Sequence, residues 1–159
     1  MMKLDITITG KNLEAAFAGE SMAFMKYSYF AKLAREMGDE ATAAAFEETA
    51  KQEIQHAFGH LDLLYPKVMM TPEKMLEVAI AGETYEYSEM YPGFRDTAIK
   101  EQQAEAMKEF EEQIAESKEH AEWFKAALKK AEKRFAALTK VEERHANHYR
   151  EVLAAAQAG

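Results

Sequence analysis

Apolar residues recur at steps of three and four along most of this chain, the spacing that places them on one face of an α-helix. The spacing predicts a first helix over about residues 12–37, with Asn12 as its N-cap and Gly38 just beyond its end. A second helix is predicted over about residues 39–64, where a Tyr-Pro pair follows it. Only a short turn therefore separates the first two helices.

The second half of the chain also has a helical pattern. Thr71 followed by Pro72 is typical of a helix start, because Thr caps the first turn and Pro fits the first helical position. Pro92 predicts a kink or bulge in this third helix, since proline removes one backbone hydrogen bond. Beyond Gly93 there is no further Gly or Pro before the last residue, and one apolar stripe runs over residues 107–152. The pattern does not locate a turn within that stripe.

Composition agrees with a single all-α domain. The chain has 159 residues with only seven Gly and three Pro, and it is rich in residues that lose little side-chain freedom in a helix. It contains no cysteine, which excludes disulfides, zinc ribbons and iron–sulfur clusters within it. We therefore predict one domain over residues 1–159.

Charge and hydropathy narrow the range of partners. The net charge of −8 argues against nucleic-acid binding through a basic face. No stretch of about 18 apolar residues is present, so no membrane span is expected. The first ten residues lack the apolar core of a secretory signal, which makes the cytoplasm the expected location.

Acidic or histidine side chains interrupt the apolar stripe of every predicted helix. Such groups on a buried face cost free energy unless they are paired or bind a metal. The residues concerned are Glu20 on the first helix, Glu53 and His56 on the second, Glu83 and Glu86 on the third, and Glu142 and His145 in the C-terminal stripe. Each helix thus directs at least one carboxylate towards a common core.

The spacing of these residues is that of a two-metal carboxylate site. Residues three apart share a helix face, so each Glu-x-x-His pair can bind one metal ion with both side chains. Two such pairs, with glutamates from two further helices, are the ligand set of di-iron helical bundles. Oxygen ligands with two imidazoles suit iron or manganese and tolerate zinc. We therefore predict a ferritin-like four-helix bundle that holds two metal ions, expected to be iron.

Four segments carry a resemblance to a known family. They are AFAGESMAFMKYSYFA around Glu20, FEETAKQEIQHA around Glu53, AIAGETYEYSEMYPGF around Glu83 and KRFAALTKVEERHANHY around Glu142. These segments resemble rubrerythrins, and especially the short, sulerythrin-like members that lack a rubredoxin domain. The resemblance implies a peroxidase that reduces hydrogen peroxide to water with two electrons from a reduced di-iron centre.

The resemblance also implies roles for individual residues. In rubrerythrins one third-helix glutamate and the second-helix histidine exchange as iron ligands with redox state, and the matching residues here are Glu86 and His56. Tyr27 and Tyr91 match tyrosines that lie beside the metals in the family. The cysteines of the rubredoxin domain have no counterpart in this chain. The electrons are therefore expected to come from a separate, rubredoxin-like protein.

An excess of residues between the third and fourth motifs leaves two registers open. Continued without a gap, the resemblance brings Ser117 and His120 to the metals in place of Glu142 and His145. The two histidines are 25 residues apart, close to seven turns of about 3.6 residues, so both can share one helix face. Glu142 and His145 are preferred because serine is a poor ligand for iron. The excess then forms an extra helical segment at about residues 103–128, within an extended C-terminal helical region.

The connection between the second and third helices is short enough to predict a homodimer. In ferritin-like folds the second and third helices are parallel, so residues 65–71 must span roughly 27 Å along the bundle. Seven residues reach at most about 25 Å when fully extended. A homodimer whose two chains exchange helix pairs removes this strain.

Two alternatives to the peroxidase stay open from the sequence. One is a ferroxidase or other iron-handling protein, which would oxidise Fe(II) at the same site. The other is a di-metal oxidase or oxygenase, or a binding module without turnover. Fast reoxidation of the reduced protein by peroxide, and much slower reoxidation by dioxygen, would distinguish the peroxidase from both.

Overall fold

The computed structural model describes residues 7–158, which form helices and short turns without any strand. The all-α fold class is thereby confirmed. Residues 1–6 and 159 of the predicted domain, and with them most of the segment inspected for a secretory signal, lie outside the described residues. The chain divides into two compact units, residues 1–70 and 71–159. No helix within residues 7–158 is long and apolar enough to cross a membrane.

The first unit is a hairpin of two long helices, α1 (Ile8–Glu36) and α2 (Glu40–Leu64). α1 begins about four residues earlier than the sequence predicts, because its N-cap is Thr7 and not Asn12. The Thr7 hydroxyl oxygen accepts a hydrogen bond of 2.9 Å from the backbone N–H of Gly10. This bond satisfies one of the free N–H groups of the first turn.

The turn between α1 and α2 is as short as predicted. Gly38 adopts a φ of +82°, a left-handed conformation that suits glycine because it has no Cβ. Asp39 then caps α2 through Thr42, accepting hydrogen bonds from its backbone N–H and its hydroxyl. The buried apolar residues described for this unit are all small, which allows the two helices to approach closely. They are Ala31, Ala34, Ala43, Ala50 and Ala57.

The second unit contains α3 (Pro72–Tyr85), a π-helical segment (Glu86–Met90), α4 (Tyr91–Lys100) and α5 (Ala104–Ala158). The predicted start of α3 is confirmed, since Thr71 is its N-cap. The predicted kink or bulge is also confirmed, and it takes the form of the π segment. There the backbone N–H of Tyr91 donates a hydrogen bond to the carbonyl oxygen of Glu86, five positions earlier in the chain.

The turn that the sequence did not locate lies just before α5. Gln102 adopts a φ of +58°, which is uncommon for a residue with a side chain, so no Gly marks the position. α5 is then one helix of 55 residues. Its first half packs on α3 and α4, and together these helices form the second hairpin of the chain. The predicted extra segment at about 103–128 belongs to that packed half. Beyond Ala131 the described side chains are exposed except for that of Val141, so the extension lies at the other end of α5.

Candidate metal centre

The first unit gathers three of the predicted metal ligands. Glu20 lies on α1, while Glu53 and His56 lie three residues apart on α2. Nδ1 of His56 is 3.0 Å from Oε2 of Glu53 and 3.8 Å from Oε2 of Glu20. One ligand atom from each residue lies within 4.8 Å of the others, and no second group of three meets this criterion within residues 7–158. Two carboxylates and one imidazole can therefore converge on one ion.

The second unit places α5 residues beside the two third-helix glutamates. Nδ1 of His120 lies 3.5 Å from Oε1 of Glu83. The hydroxyl of Ser117 donates a hydrogen bond of 2.9 Å to Oε2 of Glu86. Oε2 of Glu83 is buried and has no hydrogen-bond partner in the structure. Because an unpaired buried carboxylate oxygen is costly, a cation is the partner that best suits it.

The two tyrosines implied by the resemblance lie in different units, Tyr27 in the first and Tyr91 in the second. Tyr91 directly follows the π segment and packs on Phe110, with ring centroids 6.2 Å apart. Burial, and then the negative charge of Glu86, raise the pKa of Tyr91 above its ordinary value of 10.0. Its hydroxyl is therefore protonated at neutral pH. Tyr27 is half-buried on α1, with its ring centroid 5.8 Å from that of Phe46 on α2.

Glu142 and His145 lie on the free half of α5. Their side chains are 76% and 61% exposed, and Oε2 of Glu142 is 3.9 Å from Nδ1 of His145. Because α5 is continuous, His145 follows His120 by about 37 Å at 1.5 Å per residue. The second unit thus brings Ser117 and His120, and not Glu142 and His145, to the third-helix glutamates. The preference for Glu142 and His145 rested on the poor ligand chemistry of serine, and the periodicity of the stripe, which fits both pairs, does not say which of them lies level with the third-helix glutamates.

A comparison with protein families also separates the packed half of α5 from its free half. The family model described as rubrerythrin matches residues 11–128, which is well over half of the chain. This chain belongs to the rubrerythrin family. The rubrerythrin match includes both groups of candidate ligands together with Ser117 and His120. It ends before Glu142, so the free half of α5 lies outside the part that matches.

Individual rubrerythrins are similar over the same region. The rubrerythrin of Porphyromonas gingivalis is 38% identical over 104 residues, which cover 58% of this chain and 52% of that protein. The rubrerythrin of Nitratidesulfovibrio vulgaris is 36% identical over 121 residues, covering 69% of this chain and 63% of that protein. Nigerythrin from the same organism is 35% identical over 120 residues, covering 68% and 59%. The chain therefore spans between half and two thirds of these relatives.

Each unit carries side chains with the oxygen and imidazole donors that suit iron. The family binds a di-iron centre and its members are generally oxidoreductases. The first unit carries Glu20, Glu53 and His56, the second carries Glu83, Glu86 and His120, and the buried Oε2 of Glu83 has no hydrogen-bond partner. In the register through His120, Ser117 holds the position where the second Glu-x-x-His pair would have its glutamate. The sequence already offered this register, as the resemblance continued without a gap past Pro92.

Proposed function

We propose that this protein is a di-iron peroxidase that reduces hydrogen peroxide to water with electrons from an external donor, such as a rubredoxin-like protein. The observation that carries the proposal is the presence of one Glu/His group on each hairpin, the first around His56 and the second around His120. Membership of the rubrerythrin family supports it. Iron bound there would supply the two electrons that each peroxide takes up.

The proposed iron ligands include five of the residues predicted from the sequence. The set is Glu20, Glu53, His56, Glu83, Glu86 and His120. Four carboxylates balance the charge of two divalent ions, so this set is electrically neutral with iron, manganese or zinc bound. The register through Glu142 and His145 is the alternative, and metal analysis of single variants distinguishes the two.

Protons must accompany the electrons, because one peroxide takes up two protons as it becomes two water molecules. Tyr91 is suited to donate a hydrogen bond or a proton, since its raised pKa keeps the hydroxyl protonated and Glu86 is among its close charged neighbours. Tyr27 is proposed for a similar role on the first hairpin. Glu86 and His56 are proposed to exchange as ligands when the redox state changes, as the resemblance implies.

The activity is tested by anaerobic stopped-flow mixing of the iron-loaded, reduced protein with peroxide or with dioxygen. We expect one peroxide consumed per two Fe(II), at a rate far above that with dioxygen. Glu86→Ala should slow the reaction with peroxide more than it lowers the iron content. Glu89→Ala is the matched control, because Glu89 is exposed in the same π segment. Faster reoxidation by dioxygen than by peroxide would instead indicate a ferroxidase or an oxidase.

We also propose that the working form is a homodimer in which two chains exchange hairpins. Large apolar side chains such as Met25, Phe58 and Trp123 are more than half exposed in the single chain, which suits burial against a second copy. The connector supports exchange because it contains a 3₁₀ turn, Lys67–Met69. Such a turn rises only about 2.0 Å per residue. The connector therefore spans less than it would if it were fully extended. Even its fully extended length was too short for a connection along one bundle.

Complementation tests the exchange of hairpins. One variant carries Glu53→Ala and His56→Ala, and the other carries Glu83→Ala and Glu86→Ala. Unfolded together and refolded as a mixture, they should regain one intact site per heterodimer, while each variant alone regains none. A monomer in solution that still binds two metal ions would refute the exchange.

A further inference from the structure

The two helices that carry a histidine ligand contribute unlike partners three residues before it. α2 carries Glu53 before His56, whereas α5 carries Ser117 before His120. Ser117 is only 3% exposed and is the one buried polar residue among those described. The position is therefore an interior one at which a carboxylate would be expected to bind metal, but it holds a neutral hydroxyl.

The Ser117 hydroxyl has a defined partner. It donates a hydrogen bond of 2.9 Å to Oε2 of Glu86, thirty-one residues away along the chain. This bond engages Oε2 of Glu86, whereas Oε1 of Glu86 takes no part in it. Hydrogen bonds of this kind fix the orientation of carboxylate ligands, and losing one typically costs about 10–100-fold in metal affinity.

The two hairpins also differ in how completely their ligands are gathered. The group of Glu20, Glu53 and His56 is already compact enough to hold an ion. In the second unit Nδ1 of His120 lies 3.5 Å from Oε1 of Glu83, whereas His145 and Glu142 contact each other at 3.9 Å on the free half of α5. Oε2 of Glu83 is buried without a hydrogen-bond partner, which points to a cation as the partner that is missing.

We propose that Ser117 is a positioning residue for Glu86, and that α5 therefore supplies one metal ligand, His120, where α2 supplies two. The two metal positions then bind with unequal affinity, and the one served by His120 is the weaker. This inference rests on the proposed di-iron function, because it concerns the same two positions.

The test is a titration of the metal-free full chain with Co(II), followed by calorimetry and by the visible absorption of the bound ion. We expect two binding steps, with the second at least about ten-fold weaker than the first. Ser117→Ala should weaken the step in which Glu86 binds the ion by about 10–100-fold and leave the other step nearly unchanged. Ser117→Thr should leave both steps as they are in the unchanged protein because it keeps the hydroxyl.

A matched pair isolates the hydroxyl if Ser117→Ala fails to fold. Thr and Val have nearly the same shape, so weaker binding in the step that uses Glu86 for Ser117→Val than for Ser117→Thr reports the hydrogen bond alone. The route through Glu86 is tested in a Glu86→Ala background, where Ser117→Ala should have no further effect. An equal effect of Ser117→Ala in both backgrounds would overturn the positioning role.

Two steps of equal affinity in the unchanged protein would overturn the inequality of the sites. If that protein still consumes peroxide, the proposed function stands and this inference alone fails. If the two unequal steps are found but the reduced, iron-loaded protein does not react with peroxide, the peroxidase proposal fails and the role of Ser117 stands. The binding measurement therefore tests the role of Ser117, and the activity measurement separately tests the peroxidase.

Discussion

Nδ1 of His120 lies 3.5 Å from Oε1 of Glu83, across the contact between α5 and α3. This contact fixes which part of the long α5 faces the third-helix glutamates. Positions about 25 residues apart are separated by close to seven full turns, so His145 lies on a similar face of α5 but far along its axis. The choice between the two histidines is therefore one of position along the helix and not of orientation.

Replacing each histidine separately tests that choice. His120→Ala should lower the bound metal from two ions towards about one per chain, because it removes the imidazole beside Glu83. His145→Ala should leave the metal content unchanged, since that side chain is 61% exposed on the free half of α5. The measurement is elemental analysis after anaerobic loading with Fe(II) and desalting. The reverse result would return the fourth motif to Glu142 and His145.

Local signals in the sequence predicted much of the fold. Gly38 and Thr71 marked a turn and a helix start correctly, because each acts through its own backbone or its own side chain. Gln102 could not be found in this way, since a glutamine with a positive φ has no local sequence signal of the kind that a glycine gives. Asn12 has the chemistry of a cap, but Thr7 provides the capping bond.

The candidate site also contains some residues that local signals predict and others that they do not. Glu20, Glu53 and His56 follow from helical spacing alone, and the structure brings them together. The partner of Glu86 does not follow from spacing, because two positions on α5 satisfy the same periodicity. In the structure, the packing of α5 places Ser117, and not Glu142, beside Glu86.

Tyr91 provides a test of proton supply. Tyr91→Phe should slow the reaction with peroxide by about 100-fold or more, the usual scale for losing a positioned proton donor, with little change in metal content. Burial first and the charge of Glu86 next raise the pKa of Tyr91 above 10.0. Any loss of rate from ionisation of Tyr91 should therefore have its midpoint above that pH. Stopped-flow rates across pH give both results.

The control for Tyr91 is Tyr85→Phe. Tyr85 ends α3 and is 54% exposed, so the loss of its hydroxyl should leave the rate as it was. Equal rates for Tyr91→Phe and the unchanged protein would mean that another group or water delivers the proton.

Asp39 links the stability of the first hairpin to pH. Its carboxylate accepts hydrogen bonds from the hydroxyl and the backbone N–H of Thr42, at 2.6 Å and 3.0 Å, and these lower the pKa of Asp39 below 3.8. A carboxyl group whose folded-state pKa is lowered stabilises the fold above its unfolded-state pKa, and this contribution is lost as pH falls through the folded-state pKa. Asp39→Ala should therefore lower the urea midpoint at pH 7, and the difference should narrow below about pH 4.

Urea unfolding of the metal-free protein at a series of pH values measures this difference. Asp39→Asn is the informative control, because its side-chain oxygen can still accept from the Thr42 N–H but carries no charge. Its midpoint should lie between those of the other two proteins at pH 7. A gap between Asp39→Ala and the unchanged protein that is the same at pH 3 and pH 7 would show that the charge of Asp39 contributes nothing.

The free half of α5 can be removed to test what it contributes. Ala131 is the last residue of α5 that is buried in the described structure, so a chain that ends at Lys133 keeps all the buried residues of α5 and loses only the partly buried Val141 beyond them. We expect this chain to bind the same amount of metal and to react with peroxide at the same rate. Elemental analysis measures the metal content and stopped-flow mixing measures the rate with peroxide. Size-exclusion chromatography measures the self-association of the shortened chain.

The pattern of results separates two roles for this half. Loss of self-association with the metal retained would identify residues 134–158 as a contact between copies, which suits the exposed apolar stripe of Phe135, Leu138 and Val152. Loss of the metal would mean that Glu142 and His145 take part in the site despite their exposure. Since they lie about 37 Å along α5 from His120 at 1.5 Å per residue, a second copy would then have to place them at the glutamates of the first.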